Sequence, residues 1–273
     1  MKVAFWSNGR GRSCVTSNLA CISVLSAFDC PTDRTIIFEN HNNIMNLGTT
    51  LLNHHSVNEI RESITYSSEN GLHRVLQSME QGKEVSEELL YRQAQDYLGK
   101  RLLYLPSESD SADCLEYYLD KVAIRAMDCF EKYSDMVLVD TTSAPLASSR
   151  KILQKADVVV VNLSQNEQLL NHFFRNYSSI QERAFYLVGN YDAASELTRS
   201  AIVKKYHLRG NQVGMIPHNI EFSDAISKGQ VIPYLWKHYE CRQEDSNYEF
   251  MTAAKEAVSL FRATVRKVRG KTK

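Results

Sequence analysis

Short apolar runs that alternate with single helical segments constrain the fold of this chain more than any other feature. In the second half, apolar runs at 158–161, 184–188 and 213–216 are separated by stretches of helical periodicity at 167–177 and 193–206, after a helix predicted at 147–155. Successive strands joined by one helix run parallel, with both faces of the sheet covered. The pattern predicts a doubly wound α/β fold, a mostly parallel sheet with helices on both faces in three α/β/α layers.

The first half follows the same rule with one interruption. Apolar runs at 3–6 and 34–39 flank a helical stretch at 15–28, and strands are predicted at 102–105 and 136–140 around a helix at 112–133. The region between lacks strand signals and contains helix-like stretches at 57–79 and 86–98. We expect a single domain over 1–273 with a helical insertion at about 50–99, a short helix at 222–227 and a C-terminal helix at about 246–268.

Composition excludes several classes of protein. The 273 residues include 32 basic and 32 acidic side chains, so no net field draws the chain to nucleic acid. The six cysteines form no C-x-x-C pair, which favours reduced thiols over disulfides or a cysteine metal site. No signal peptide and no run of about 20 apolar residues is present, so we expect a cytoplasmic protein.

The stretch KVAFWSNGRGRSCVTSN at 2–18 has the layout of a strand, a glycine-bearing loop and a helix start. Such a loop can cradle phosphates with backbone N–H groups and a helix N-terminus, and the alternative is an ordinary β-to-α turn. Compared with the pattern G-x-x-x-x-G-K-[ST], Trp6 replaces the first glycine and Arg12 replaces the lysine. The phosphate-binding candidates are Gly9, Gly11, Arg12, Ser13, Cys14, Val15 and Thr16.

Other strands of the predicted sheet also end in polar or turn residues. Ligands of doubly wound sheets bind outside the carboxyl ends of the strands, so these residues are candidates for the same site. They are Glu39 and His41 after the second strand, Asp140 after the run at 136–139, and Asn190 and Pro217 after later strands. For Asp140 the alternative is a carboxylate that caps the following turn.

Three segments resemble the ParA/MinD family of P-loop ATPases with a deviant Walker A loop (SIMIBI class): VLVDTT at 137–142, YLVGN at 186–190 and GMIPHNIEFSDAISKGQVI at 214–232. The resemblance implies a P-loop NTPase-like fold, ATP or ADP with Mg²⁺ as cofactor, a homodimer and protein partners. It also implies a role in positioning other assemblies, with nucleotide contacts at Asn190 and Pro217 and Asp140 at the magnesium ion.

The loop aligns with the family signature K-G-G-x-G-K-T-[TS] in two ways. Anchoring on the helix puts Ser7 at the first lysine, Arg12 at the second and Ser13 at the magnesium hydroxyl. Anchoring on the strand puts the segment 14–16 at Lys-Thr-Thr, which makes Thr16 the magnesium hydroxyl and leaves no cation in the loop. Both alignments lack the first lysine, so the magnesium candidates are Ser13, Thr16 and Asp140.

The second departure from the family lies at 39–41, where Glu-Asn-His stands in place of Asp-x-Asp. A neutral imidazole at His41 cannot hold an attacking water as a carboxylate would. Arg12 is no simple substitute for lysine, and losing one cation at a transferring phosphoryl group costs about 10³ to 10⁵ in rate. We interpret the chain as a pseudo-ATPase. The alternatives are a slow ATPase whose dimerisation controls a partner, and a scaffold that has lost nucleotide.

Two further expectations concern partners and location. Loops without these lysines resemble the CpaE/TadZ branch, which positions Tad-type pilus machinery, so we predict a protein peripheral to the membrane or at the pole. The basic residues at 262–273 complement the dipole of the C-terminal helix, and we interpret them as a solvated helix end. Contacts with an anionic membrane or with nucleic acid are the alternatives.

Overall fold

A computed structural model describes residues 1–9, 11–52, 71–107 and 112–271. Its centre is a sheet of eight strands in the spatial order β3-β4-β2-β5-β1-β6-β7-β8. All neighbours pair in parallel except β3, which is antiparallel to β4. The strands are β1 (Lys2–Trp6), β2 (Thr35–Glu39), β3 (Gln95–Tyr97), β4 (Leu102–Leu105), β5 (Met136–Asp140), β6 (Val158–Leu163), β7 (Ala184–Tyr191) and β8 (Val213–Pro217).

Helices connect these strands and cover both faces of the sheet, which confirms the predicted doubly wound fold. Within the described residues they are α1 (Val15–Asp29), α2 (Leu47–Leu51), α3 (Leu72–Glu80), α4 (Glu87–Gln93), α5 (Ala112–Tyr133), α6 (Ala147–Lys155), α7 (Glu167–Asn176), α8 (Ser178–Gln181), α9 (Arg199–Lys205), α10 (Ile220–Ser227), α11 (Val231–His238) and α12 (Tyr248–Lys271), with a 3₁₀ turn at Gly210–Gln212.

The core consists of two apolar layers, one on each face of the sheet. Side chains such as Phe130 of α5 and Phe173 of α7 fill one layer, whereas Leu19 of α1 and Phe261 of α12 fill the other. Strands β1, β2, β4, β5 and β6 are buried along their whole length, which is why they read as continuous apolar runs. β1 lies at the switch point of the sheet, where the strand order reverses. The chain passes from β1 to β2 on one side of β1 and later reaches β6 on its other side.

The predicted insertion contains an edge strand that the sequence analysis missed. The helix expected at 86–98 ends at Gln93, and β3 follows it. β3 has only three residues, of which Tyr97 alone is buried, so it carries too little apolar pattern to be recognised. Of the helix expected at 57–79, residues 57–70 lie outside the described residues, and the described part starts at Leu72.

Two later boundaries also differ. The helix expected at 193–206 begins only at Arg199, where Thr198 caps it by accepting from the backbone N–H of Ala201. α11 was not predicted because Gly229 and Pro233 suggest a loop. Pro233 is the third residue of α11, in the first turn, where a proline breaks no hydrogen bond of the helix.

The C-terminal helix α12 packs its apolar face against the sheet as predicted, and its bounds are Tyr248–Lys271. Phe250, Ala254, Val258 and Phe261 are buried in the same layer as α1. Nearer its end, Arg262 pairs with Asp33 at 2.6 Å. Among the described residues, no helix is long and apolar enough to cross a membrane.

Candidate functional site

The loop between β1 and α1 is closed by hydrogen bonds among its own groups. The Ser7 hydroxyl donates to Ser13 Oγ at 2.8 Å and accepts from the backbone N–H of Gly9 at 3.1 Å. Both serines are buried. Gly11 has φ +65 with open space around it, and the side chain of Arg12 is exposed to solvent. The hydroxyl of Ser13 is therefore used inside the loop, while Arg12 stays free to reach a ligand.

Helix α1 begins at Val15, as the sequence analysis predicted. Its N-cap is Cys14, a left-handed residue (φ 52) whose side chain makes no capping hydrogen bond. Desolvation raises the pKa of the Cys14 thiol, which disfavours a reactive thiolate at this position. The first turn of α1 contains no acidic residue of its own.

Thr16 lies against Asp140, the last residue of β5. Its hydroxyl donates to Asp140 Oδ2 at 2.6 Å. The parallel register of β1 and β5 sets Phe5 beside Asp140, which brings the end of β5 to the start of the loop. Of the two hydroxyls that the alignments left open, Thr16 is thus the one on the carboxylate. A hydroxyl paired with a carboxylate offers the oxygen ligands that Mg²⁺ prefers.

Glu39 and His41 complete a buried cluster with Asp140, and their relative exposures are 0%, 9% and 2%. His41 Nε2 lies 3.4 Å from Asp140 Oδ2 and 3.9 Å from Glu39 Oε1. Glu39 also accepts from the Tyr104 hydroxyl at 2.6 Å and from the backbone N–H of Leu47 at 2.8 Å. The cluster joins the ends of β2 and β5, which are neighbours in the sheet.

The pKa values of this cluster reflect burial and mutual charge. Burial raises the pKa of Glu39 to about 7, and the charge of Asp140 adds to that rise. Burial lowers the pKa of His41, but its hydrogen bond to Asp140 and the charges of Asp140 and Glu39 outweigh burial and raise it overall. The raised pKa favours the protonated imidazole, whose Nε2–H points at the carboxylate of Asp140.

A buried asparagine pair behind the loop was not found from the sequence. Asn162 of β6 accepts from Asn18 Nδ2 at 2.8 Å, and its own amide donates to the carbonyl of Trp6 at 3.3 Å. Asn18 also donates to the carbonyl of Ser13 at 3.2 Å. The pair fixes the loop to the sheet. One signal was available, since Asn162 is the single polar residue in the apolar run VVVVNL.

Replacing Gly189 with alanine tests the rigidity of this pair. A Cβ at Gly189 would lie 2.4 Å from Asn18 Nδ2, and Asn18 is held by two hydrogen bonds. We expect Gly189→Ala to lower the free energy of unfolding by about 1–3 kcal/mol, as overpacked cores do. In the matched control Gly210→Ala the new Cβ meets nothing within 4 Å. Urea unfolding of both variants is the measurement, and equal losses would contradict the assignment.

Asn190 and Pro217 lie at the ends of β7 and β8, at the same edge of the sheet as the loop. Pro217 pairs with Tyr191, the neighbour of Asn190, and Asn190 Oδ1 lies 2.8 Å from His218 Nδ1. Asn190 has φ 49 and an exposed side chain. The structure thus brings these two candidates together. Strand β6 lies between β1 and β7, and β8 lies beyond β7.

Solved structures with this architecture include ParA-type and MinD-type ATPases. A ParA family ATPase from Chlorobium tepidum TLS is 14% identical, with 95% of this chain and 99% of that chain covered and a TM-score of 0.68. The cell division ATPase MinD of Pyrococcus furiosus is 11% identical, with 96% and 98% covered and a TM-score of 0.70. The septum site-determining protein MinD of Pyrococcus horikoshii OT3, complexed with Mg-ADP, is 11% identical, with 94% of each chain covered and a TM-score of 0.68.

No known family profile matches the chain, and no curated protein matches it in sequence. The structural likeness extends over nearly the whole chain, so the fold is that of the ParA/MinD group of P-loop ATPases. This confirms the fold that the three sequence segments implied.

Proposed function

We propose that this chain is a ParA/MinD-type positioning protein whose nucleotide site does not hydrolyse ATP. The observation that supports this most is the position of His41, whose Nε2 lies 3.4 Å from Asp140 and 3.9 Å from Glu39. An imidazole in contact with two carboxylates is biased toward its protonated form, and a protonated imidazole cannot accept a proton from an attacking water. The loop at 7–18 also contains no lysine.

In this proposal the site still binds ATP or ADP with Mg²⁺, although it does not hydrolyse ATP. Thr16 and Asp140 would hold the ion through their oxygens, because their hydrogen bond at 2.6 Å already brings both to one point. The loop N–H groups of Gly11 to Val15 would meet the phosphates, with Arg12 as the cation in reach. Asn190 and Pro217 would contact the nucleotide from the later strands.

Calorimetric titration with ATP in the presence of Mg²⁺ tests this assignment and separates it from a scaffold without nucleotide. We expect Thr16→Val to weaken binding at least about tenfold, because it removes the hydroxyl beside Asp140 and keeps the shape of the side chain. Ser13→Ala removes the hydroxyl that the helix-anchored alignment assigns to the ion, and it serves as the matched control. A stronger loss in Ser13→Ala would favour that alignment, and no binding by the unmodified chain would favour the scaffold.

A slow ATPase is the second candidate, and two observations favour it. Thr16 and Asp140 keep the hydroxyl–carboxylate pair that a magnesium ion needs, and Arg12 projects from the loop into solvent. A guanidinium can pair with phosphate oxygens, although it does not replace a compact ammonium enclosed by the loop. In this version ATP-dependent dimerisation would control a partner protein.

In this proposal the protein positions an assembly of the Tad pilus type. This part rests on the loop's resemblance to CpaE/TadZ. A homodimer and a place at the membrane or pole belong to the same proposal. A fluorescent fusion in the cells that express the protein tests the role. We expect one focus per cell or per pole, and a diffuse signal in cells that build the assembly would contradict it.

A further inference from the structure

We propose that Glu39, His41 and Asp140 bind one divalent transition-metal ion of the Zn²⁺ and Co²⁺ class. These three side chains each offer one ligand atom, and the three atoms lie within 4.8 Å of one another. All three residues are buried. This inference concerns the chain without nucleotide and goes beyond the proposed magnesium–ATP chemistry, since two of the three ligands, Glu39 and His41, take no part in that assignment.

The two buried carboxyl groups of this cluster favour a bound cation. The cluster brings two carboxyl groups and one imidazole together away from water, and ionising both carboxyl groups there without a cation is costly in a medium of low dielectric. Within the described ranges, neither Glu39 nor Asp140 pairs with a lysine or arginine. A divalent ion bound to neutral His41 would neutralise both carboxylates.

The distances between the three ligand atoms also favour a bound metal ion. For metal–ligand bonds of about 2.0–2.1 Å in a tetrahedral site, two ligand atoms lie about 3.3–3.4 Å apart. The separation of His41 Nε2 from Asp140 Oδ2 is 3.4 Å, and its separation from Glu39 Oε1 is 3.9 Å. The distance to Asp140 matches the distance between two ligand atoms of a tetrahedral site. Glu39 Oε1 would have to move about half an ångström closer to His41 to match it as well.

The choice of metal follows from the ligand types. Magnesium prefers six oxygen ligands and is seldom held by imidazole, whereas imidazole with carboxylates suits zinc, cobalt, iron and nickel. His41 Nδ1 accepts a long hydrogen bond from the backbone N–H of Asn43 at 3.4 Å, so Nε2 is the atom directed at the carboxylates. Nε2 would lose its proton when it binds the ion. Replacing an oxygen ligand by this nitrogen would move the site's preference away from Mg²⁺.

Neighbouring groups orient two of the three ligands. The Tyr104 hydroxyl and the N–H of Leu47 hold the two oxygens of Glu39, and Thr16 holds Asp140 Oδ2. Hydrogen bonds of this kind fix metal ligands in position, and removing one typically weakens metal binding about 10–100-fold. The cluster is thus more ordered than a group of acidic side chains at a surface.

Titration of the nucleotide-free chain with Co²⁺ tests the proposal, because low-coordinate cobalt bound through nitrogen and oxygen absorbs visible light. We expect one Co²⁺ per chain, displaced by Zn²⁺ and not by a hundredfold excess of Mg²⁺. His41→Asn should weaken Co²⁺ binding by more than about 100-fold, which is the most that loss of a hydrogen bond to a metal ligand usually costs. Tyr104→Phe, which keeps the ring, should weaken it about 10–100-fold.

The matched control is the double variant His54→Asn/His55→Asn, which removes the chain's adjacent histidine pair. The proposal requires this variant to bind as the unmodified chain does, with circular dichroism as a check on folding in each case. Unchanged binding in His41→Asn, or loss of binding in the double variant, would overturn it. Because the titration contains no nucleotide, a negative result leaves the proposed function untouched, and a failure to bind ATP leaves the metal site untouched.

Discussion

Trp6→Ala is expected to lower the free energy of unfolding by about 3–5 kcal/mol, the usual loss for a large aromatic side chain in a core. Trp6 is the last residue of β1 and is 5% exposed. Its ring lies 5.0 Å from that of Tyr177 and 6.4 Å from that of Phe173. Glycine, which the phosphate-loop pattern requires here, would cost about 0.5–1 kcal/mol more in a strand. Guanidinium unfolding followed by circular dichroism measures both changes.

The second tryptophan gives a matched control for Trp6. Trp236 is 66% exposed and contacts Phe28 at 5.3 Å, so Trp236→Ala should cost no more than about 1.5 kcal/mol. Equal losses in the two variants would contradict the core role of Trp6. If the core role holds, the tryptophan in place of a loop glycine is explained by packing. It then carries no information against nucleotide binding.

The stability of the metal-free chain is expected to fall as pH rises from 5.5 to 7.5. The pKa of Glu39 is raised to about 7, so in this range the folded chain keeps a proton that an ordinary unfolded carboxyl has released. Stability falls wherever the folded state binds more protons, by up to about 1.4 kcal/mol per pH unit for one group. The raised pKa of His41 acts in the same direction. We expect a total loss of about 2 kcal/mol from Glu39.

Glu39→Gln supplies the control for the pH dependence. It keeps an oxygen for Tyr104 or Leu47 but has no proton to release, so its stability should vary less steeply between pH 5.5 and 7.5. Urea unfolding at three pH values in the presence of a chelator gives both slopes. Parallel slopes in the two proteins would show that Glu39 titrates normally and would contradict the electrostatics of the buried cluster.

The elements that sequence analysis found are those whose burial leaves a strong pattern. β5 and β6 are buried along their length and have the apolar runs that were predicted. β3 was missed because a three-residue edge strand is held by its partner β4, through a register that local sequence does not encode. α11 was missed because Pro233 resembles a loop signal unless its place in the first turn is known.

The candidate site could be predicted only in part, for a similar reason. Asp140 and His41 were found because each follows a strand, and strand ends meet at one edge of the sheet. The start of α1 at Val15 was predicted, but the choice between Ser13 and Thr16 depends on how the loop aligns with the family signature, and two anchors gave different answers. The contact of Thr16 with Asp140 follows from packing that neither anchor contains.

ATP turnover by the purified chain, measured with Mg²⁺ and at several protein concentrations so that a dimer can form, tests the central claim most directly. We predict no phosphate release above that of a blank, because the imidazole of His41 lies against the carboxylate of Asp140 and the loop has no lysine. The same rate should be found for Asp140→Ala, with circular dichroism confirming that the variant is folded. Turnover that disappears in Asp140→Ala would contradict the account and establish the chain as a slow ATPase.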